Sequence, residues 1–254
     1  VNWILQSLDE QKTIYELDEF EVDEFDIESM ILKLANIYVT PVKIDRRKNT
    51  IIYLAHHDIL NIFSQNCNDN TASVANLLSL ANKLKDLTSK DLKHNVVIAF
   101  TDAEECGGLG AERLSKQILS GKFGRVKHTI NLELTSTGKN IWADTKESKS
   151  ADYIQSINKD IIRFNVPFND SVALRHNGID SVCIGTLPDF YVEQTKERKY
   201  NEIWATCHRN SDTIEWANAE DMEAFVSELS AYCVKDSIVL QWKTLSSIPL
   251  LKIA

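Results

Sequence analysis

The sequence predicts an α/β fold, three layers deep, with helices on both faces of a mainly parallel, mixed central sheet. Two patterns carry this prediction. Ile51-Ile52-Tyr53-Leu54-Ala55 and Val96-Val97-Ile98-Ala99-Phe100 are apolar runs without polar alternation, the composition of strands covered on both faces. Between and after them come stretches with apolar residues at helical spacing, such as Val74, Leu77, Leu78, Ala81 and Leu84. With 254 residues, 43% hydrophobic and 26% charged, the chain is expected to form one domain over 1–254.

A net charge of -9 argues against a nucleic-acid partner, because no basic stripe for phosphate contacts is present. No apolar run is long enough to span a bilayer, so no membrane partner is expected. Five cysteines, an odd count without close pairing, lean towards reduced thiols and a cytoplasmic setting, unless a leader has been removed.

Taken in order, Glu16 to Glu28 mixes acidic residues with Leu17, Phe20, Val22, Phe25 and Ile27, as in a half-buried edge segment with a charged outer face. Asp26 to Asn36 reads as a helix through Ile27, Met30, Ile31 and Leu34, stopped by Pro41. The strand 51–55 delivers His56, His57 and Asp58 at its carboxyl end. In extended geometry His56 and Asp58 share a side, so Asp58 could hold one ring nitrogen of His56 while the other binds a metal; a surface histidine pair is the plainer alternative. Asn66 to Thr71 is a turn-rich helix entry, where Asp69 is either a helix-start residue or a carboxylate able to bridge two metals.

The strand 96–100 runs into Glu104 and Glu105, followed by Gly107, Gly108 and Gly110, and then a helix over Ala111 to Leu119. Carboxyl ends of strands in open α/β sheets are where ligands usually bind. Thr129 to Leu134 is a further buried strand, with Glu133 anomalous between Leu132 and Leu134. Tyr153 to Phe164 reads as an amphipathic helix through Ile154, Ile157, Ile161 and Ile162, and Val182 to Gly185 as a strand. Pro188 to Glu202 is weakly patterned and reads as a loop, with Phe190, Tyr191, Tyr200 and Trp204 as candidate lining of an apolar pocket. The last helix begins near Asn218 and turns Met222, Phe225, Val226, Leu229, Tyr232 and Cys233 inward. The apolar ending Ile248-Pro249-Leu250-Leu251-Lys252-Ile253 is expected to pack on the body or to make an oligomer contact with a neighbouring subunit.

The residues left over are His56, Asp58, Asp69, Glu104, Glu105, Glu133 and His208, each at a strand end or in a turn. Two imidazoles with several carboxylates suit zinc, whose catalytic sites keep a position open. A carboxylate-bridged pair of metals would polarise a carbonyl and acidify water, and one further carboxylate would move protons. His57, His94, His128 and His176 lack partners in this pattern and are expected to be structural.

The chain resembles the M28 family of zinc aminopeptidases over roughly residues 44 to 235. The resemblance lies in five stretches in order: His56-His57-Asp58; Asn68-Asp69-Asn70; Glu104-Glu105-Cys106-Gly107-Gly108-Leu109-Gly110; Asn131-Leu132-Glu133; and His208-Arg209-Asn210-Ser211-Asp212. It implies a zinc-exopeptidase fold and two zinc ions per chain. His56 and Glu133 would hold one, Glu105 and His208 the other, and Asp69 would bridge them. Glu104 would be the general base and Asp58 would orient His56. The implied substrate is a peptide with a free N-terminus. A glutaminyl-peptide cyclotransferase, with one zinc, is the rival enzyme on a related scaffold, and a non-catalytic binding domain the rival outside enzymes. The sequence departs from the family at Glu133, more usually Asp, at Asn169-Asp170-Ser171, where Asp-His is usual, and in a short loop between Asp58 and Asp69 that implies a compact, lid-poor enzyme.

Overall fold

The computed structural model describes residues 1–22, 32–197, 202–236 and 238. Helix α1 (Asn2–Glu10) leads into strands β1 (Tyr15–Val22), β2 (Leu32–Val39) and β3 (Asn49–His56). Then follow α2 (Ala72–Leu84), β4 (Asn95–Thr101), α3 (Leu109–Leu119), β5 (Arg125–Leu132), β6 (Asn140–Asp144), α4 (Lys149–Ile157) and β7 (Ile162–Phe164). Helix α5 (Asp170–His176), β8 (Ser181–Leu187), α6 (Asp189–Lys196), α7 (Glu202–Thr206) and α8 (Ala219–Cys233) complete the described elements.

The strands form one 8-stranded sheet in the order β1-β2-β4-β3-β5-β8-β6-β7. Its centre, β4-β3-β5-β8, is parallel. Antiparallel pairing joins β1 to β2, β2 to β4 and β6 to β8, while β6 and β7 pair in parallel. The sheet is therefore mixed, as expected, and β1 is the charged edge strand anticipated over the acidic segment.

The apolar runs are buried on both faces, and alternate residues go opposite ways. Ile51, Tyr53, Ala55, Ile98 and Phe100 pack with Leu77 and Leu84 of α2 and Phe225 and Leu229 of α8. Ile52, Leu54, Val97 and Ala99 pack with Ala111 and Leu114 of α3 and Leu174 of α5. Each fully buried aliphatic chain of this kind contributes roughly 1.5–3 kcal/mol. Three layers result, with the sheet in the middle.

Three expectations are corrected. Of the helix expected over 26–36, residues 23–31 lie outside the described residues, but Leu32 to Asn36 belong to β2. There Leu34 sits opposite Phe20, and Ile37 opposite Phe100, so pairing with two neighbouring strands overrides the helical spacing. The helix expected over 153–164 starts earlier, where the Ser148 side chain accepts from the Ala151 amide, and stops at Ile157. Asn158 is extended, and its side chain accepts from the Asp160 amide in a turn that releases Ile162 to pair beside Trp142. The loop expected over 188–202 carries α6, entered through Pro188 at a φ of -61°. Tyr200 and the apolar tail lie outside the described residues. No described helix is long and apolar enough to cross a membrane.

Candidate metal centre

The parallel register lines up the carboxyl ends of β3, β4 and β5. His56, the last residue of β3, lies opposite Thr101 of β4, and Leu54 lies opposite Asn131 of β5. Everything that follows these strands converges on one spot. Ala103 (φ +55°) turns the chain after β4, and His208 (φ +61°) is also left-handed, a conformation that non-glycine residues rarely adopt and that clusters at functional sites. The glycines complete the turn: Gly108 has a φ of +78°, and a Cβ on Gly110 would sit 2.3 Å from the Asp102 carbonyl oxygen.

Among the described residues three triads emerge, His56-Asp69-Glu133, Asp69-Glu105-His208 and His56-Glu104-Glu105, with the ligand atoms of each within 4.8 Å of one another. Asp69 belongs to the first two. Its Oδ1 lies 3.2 Å from His56 Nε2, and its Oδ2 lies 3.3 Å from His208 Nε2. Glu133 Oε2 is 3.5 Å from His56 Nε2, and Glu105 Oε2 is 3.0 Å from His208 Nε2. Asp69 sits in a short π-helical turn, Cys67–Thr71, whose backbone departs from helical angles at Asp69 and Asn70. It is therefore not an ordinary helix cap.

Glu133 follows β5 directly, and its amide donates to the Ile184 carbonyl 2.9 Å away. Its other oxygen, Oε1, accepts from Asn131 Nδ2 at 3.0 Å, so a side-chain amide fixes the longer arm.

Asp58 does more than orient an imidazole. Its Oδ1 lies 3.2 Å from His56 Nδ1 and accepts from the Glu104 amide at 3.0 Å, while Oδ2 accepts from the Glu105 amide at 3.1 Å. One carboxylate thus ties the β3 end to the Glu104-Glu105 turn. Burial works against its charge, but the His56 hydrogen bond and charge and the two amides hold it below the usual carboxylate range.

Glu104 is 8% exposed. Burial, reinforced by Glu133, Asp170 and Glu105 against an opposing His56, pushes its carboxyl up to about 10. Among the described residues no lysine or arginine forms an ion pair with Asp58, Asp69, Glu104, Glu105 or Glu133. Buried carboxylates without a counter-charge are costly. The donor set, two imidazole nitrogens with several carboxylate oxygens and no protein cation, fits divalent ions of the zinc type.

The structure thus brings together all seven residues expected from the sequence, and it keeps the others apart. His57 Nε2 is 2.9 Å from the Ala35 carbonyl, and His128 stacks on Tyr153 with centroids 4.4 Å apart. Phe190 is 71% exposed, whereas Tyr191 and Trp204 pack on the cluster around Trp142, Cys183 and Leu187.

Two site residues had no role assigned from sequence. Asp212, fully buried, accepts from the Asn68 amide at 2.7 Å and the Asp69 amide at 2.9 Å, and so clamps the turn that carries Asp69. Its place four residues after His208 was the available signal. Asp170, also fully buried, accepts from Thr101 Oγ1 at 2.5 Å, and its Oδ1 has no partner among the described residues. Burial pushes its carboxyl up to about 7. Its signal was the stretch Asn169-Asp170-Ser171, which the resemblance sets against Asp-His.

The α/β/α layers with such a donor set at the carboxyl end of the parallel strands define a candidate metal centre. The chain belongs to peptidase family M28, whose profile matches residues 36–231. Among solved structures, Porphyromonas gingivalis glutaminyl cyclase is similar with a TM-score of 0.69 at 16% identity, covering 91% of this chain and 87% of that one. The LapA aminopeptidase of Legionella pneumophila has a TM-score of 0.66 at 15% identity, covering 91% and 63%. BSAP, a zinc aminopeptidase from Bacillus subtilis, has a TM-score of 0.62 at 21% identity, covering 80% and 51%. The chain thus spans about half to two thirds of the length of these aminopeptidases. No curated protein sequence matches.

Proposed function

We propose that the protein is a metallo-aminopeptidase that removes N-terminal residues from peptides and holds two zinc ions per chain. The observation that carries this reading is the division of Asp69, one oxygen towards His56 and the other towards His208. A carboxylate placed between two half-sites suits two cations. His56 and Glu133 would hold one ion, Glu105 and His208 the other. Divalent ions there would polarise the scissile carbonyl and make water a stronger acid.

Glu104 is the proton carrier in this scheme. It takes a proton from the attacking water and returns it to the leaving amine. A carboxyl held at about 10 cannot accept that proton at neutral pH, so the assignment requires cations beside it to favour its ionised form. Asp58 keeps the His56 ring and the Glu104 backbone in fixed relation. The excess of carboxylates also favours a substrate whose free N-terminus is a cation. A cytoplasmic setting and a contact between copies through the apolar tail belong to the same proposal.

Glutaminyl-peptide cyclotransferase is the second reading, favoured by the near end-to-end match in length with the Porphyromonas gingivalis cyclase. Amino-acid amides, N-blocked peptides and N-terminal glutaminyl peptides, assayed with zinc and after chelation, separate the two. Hydrolysis of free but not blocked substrates, lowered roughly 10²-fold or more in Glu104→Gln, is expected. Equal turnover of blocked substrates, or release of ammonia from glutaminyl peptides with no hydrolysis, overturns the aminopeptidase reading.

A further inference from the structure

At the opposite end of the sheet from the metal centre, four connections frame a half-open cavity of about 580 Å³. They are the link between α1 and β1, the link between β2 and β3, the residue after α2, and the link between α3 and β5. Lys12, Lys43, Arg46, Lys85 and Lys122 line it together with Thr13, and no Asp or Glu is among the lining residues. Five cations around one cavity are conspicuous in a chain of net charge -9. They are only partly neutralised. Lys122 pairs with Glu16 at 2.5 Å, and Lys85 Nζ donates to the Gln11 carbonyl at 2.7 Å. Among the described residues Lys12, Lys43 and Arg46 form no ion pair, and Asp45, which lies between Ile44 and Arg46, is taken by Arg47 at 2.9 Å.

The charge pattern points to the ligand, since cations with no carboxylate facing them suit an anion. Ile14, Pro41 and Ile44 add an apolar wall, and Lys122 is steadied over the Tyr38 ring at 4.8 Å. The size falls within the range of small-molecule pockets.

We infer that this cavity binds a phosphate-bearing small molecule of nucleotide size, its phosphates held by Lys12, Lys43 and Arg46 and its apolar body against Ile14 and Ile44. Guanidinium and ammonium groups matched to phosphate oxygens give strong, charge-assisted hydrogen bonds. The site is separate from the metal centre. β3 joins the two ends of the sheet, and its eight residues extend about 26 Å at about 3.3 Å each. The inference stands whatever reaction the metal centre performs.

The test is calorimetric titration of the full, zinc-loaded chain with ADP, inorganic phosphate and citrate at low and high salt. ADP is expected to bind with a dissociation constant below about 1 mM and more weakly as salt screens the cations. Lys43→Gln with Arg46→Gln should weaken it about tenfold or more while leaving peptide hydrolysis unchanged. Protein freed of zinc by chelation should keep ADP affinity and so exclude the metal centre as the binding place. The inference is overturned by no detectable ADP binding, by equal binding in the Lys43/Arg46 double variant, by loss of binding in the zinc-free protein, or by citrate binding as tightly as ADP.

Discussion

Asp212→Ala tests how the bridging carboxylate is held. Asp212 is fully buried, and its two oxygens accept from consecutive amides, Asn68 N and Asp69 N. Its own strand of chain is stitched to the same region, because Ser64 Oγ donates to the Asp212 carbonyl and the Ile214 amide donates to Gln65 Oε1. Truncation to alanine leaves two buried N-H groups without acceptors. Each unsatisfied donor costs roughly 1–3 kcal/mol, so the loss is about 2–6 kcal/mol, less where water enters the space. The Asp212→Asn variant would retain one acceptor oxygen and should cost about half as much. For a chain of this size each kcal/mol lowers the melting temperature by roughly 2–4 °C. Released from its clamp, Asp69 would no longer divide its oxygens between His56 and His208, and zinc affinity should fall about 10–100-fold. Thermal unfolding of metal-free protein and chelator competition for zinc measure the two effects. An alanine variant that melts within about 1 °C of the parent and keeps its zinc affinity would refute the clamp.

Chelation should abolish peptide hydrolysis and lower the melting temperature, with zinc restoring both. Ligand bound only to the native state stabilises by about 4 kcal/mol at a thousandfold excess over its dissociation constant, and a melting curve indifferent to chelator would contradict a zinc site in the folded protein. Arg113→Ala should destabilise the sheet edge. Arg113 Nε and Nη2 donate to Asp18 at 3.0 and 2.7 Å, Asp18 is 8% exposed, and its carboxyl lies below the usual range because Arg113 offsets its burial. A loss of about 1–3 kcal/mol in denaturant unfolding is expected, with activity unchanged, and a variant as stable as the parent would show the pair to be idle.

The site was more legible than the fold around it, for a physical reason. A carboxylate or imidazole at the end of a buried apolar run needs an explanation wherever the neighbouring strands lie, and His56, Glu105 and Glu133 each stand at such an end. Local pattern also fixed β3, β4 and α8, because alternation is absent in strands covered on both faces and helical spacing is dense in α8. It misled for β2, whose apolar residues fit a helical period yet sit between two strands, a fact of tertiary pairing that no local window contains. It also missed β6, whose Asn140-Ile141-Trp142-Ala143-Asp144 is too short to stand out but pairs along β8. Asp170 escaped for a related cause. Its significance comes from full burial beside Thr101 and near Glu104, and burial of a short helix start cannot be read from its neighbours in sequence.

Metal binding and proton binding at this centre compete, and the direction follows from the site's own charges. In the metal-free protein Glu104 is pushed up to about 10 and Glu105 to about 7, burial being the first cause in each, and Glu133 is raised by burial as well. His56 is raised well above the usual imidazole range because Glu133, Asp58 and Asp69 outweigh its burial, and His208 is raised by its hydrogen bond to Asp69. Near pH 7 Glu104 is therefore protonated and Glu105 about half so, the imidazoles and Glu133 are shifted in the same direction, and ligation must expel such protons, since a metal takes neutral imidazole and ionised carboxylate. About two or more protons should be released as zinc saturates the protein at pH 7, and apparent affinity should rise with pH. The release should shrink towards pH 8, as Glu105 loses its proton in the free protein too. Glu104→Gln should remove about one proton from the count and weaken zinc binding about tenfold or more, because the ionised Glu104 that the bound cations favour strengthens zinc binding in return. Calorimetric zinc titrations in buffers of different ionisation enthalpy give the number directly. A net release below about half a proton would mean that the carboxylates are already ionised without metal, and the burial argument for the whole cluster would fail.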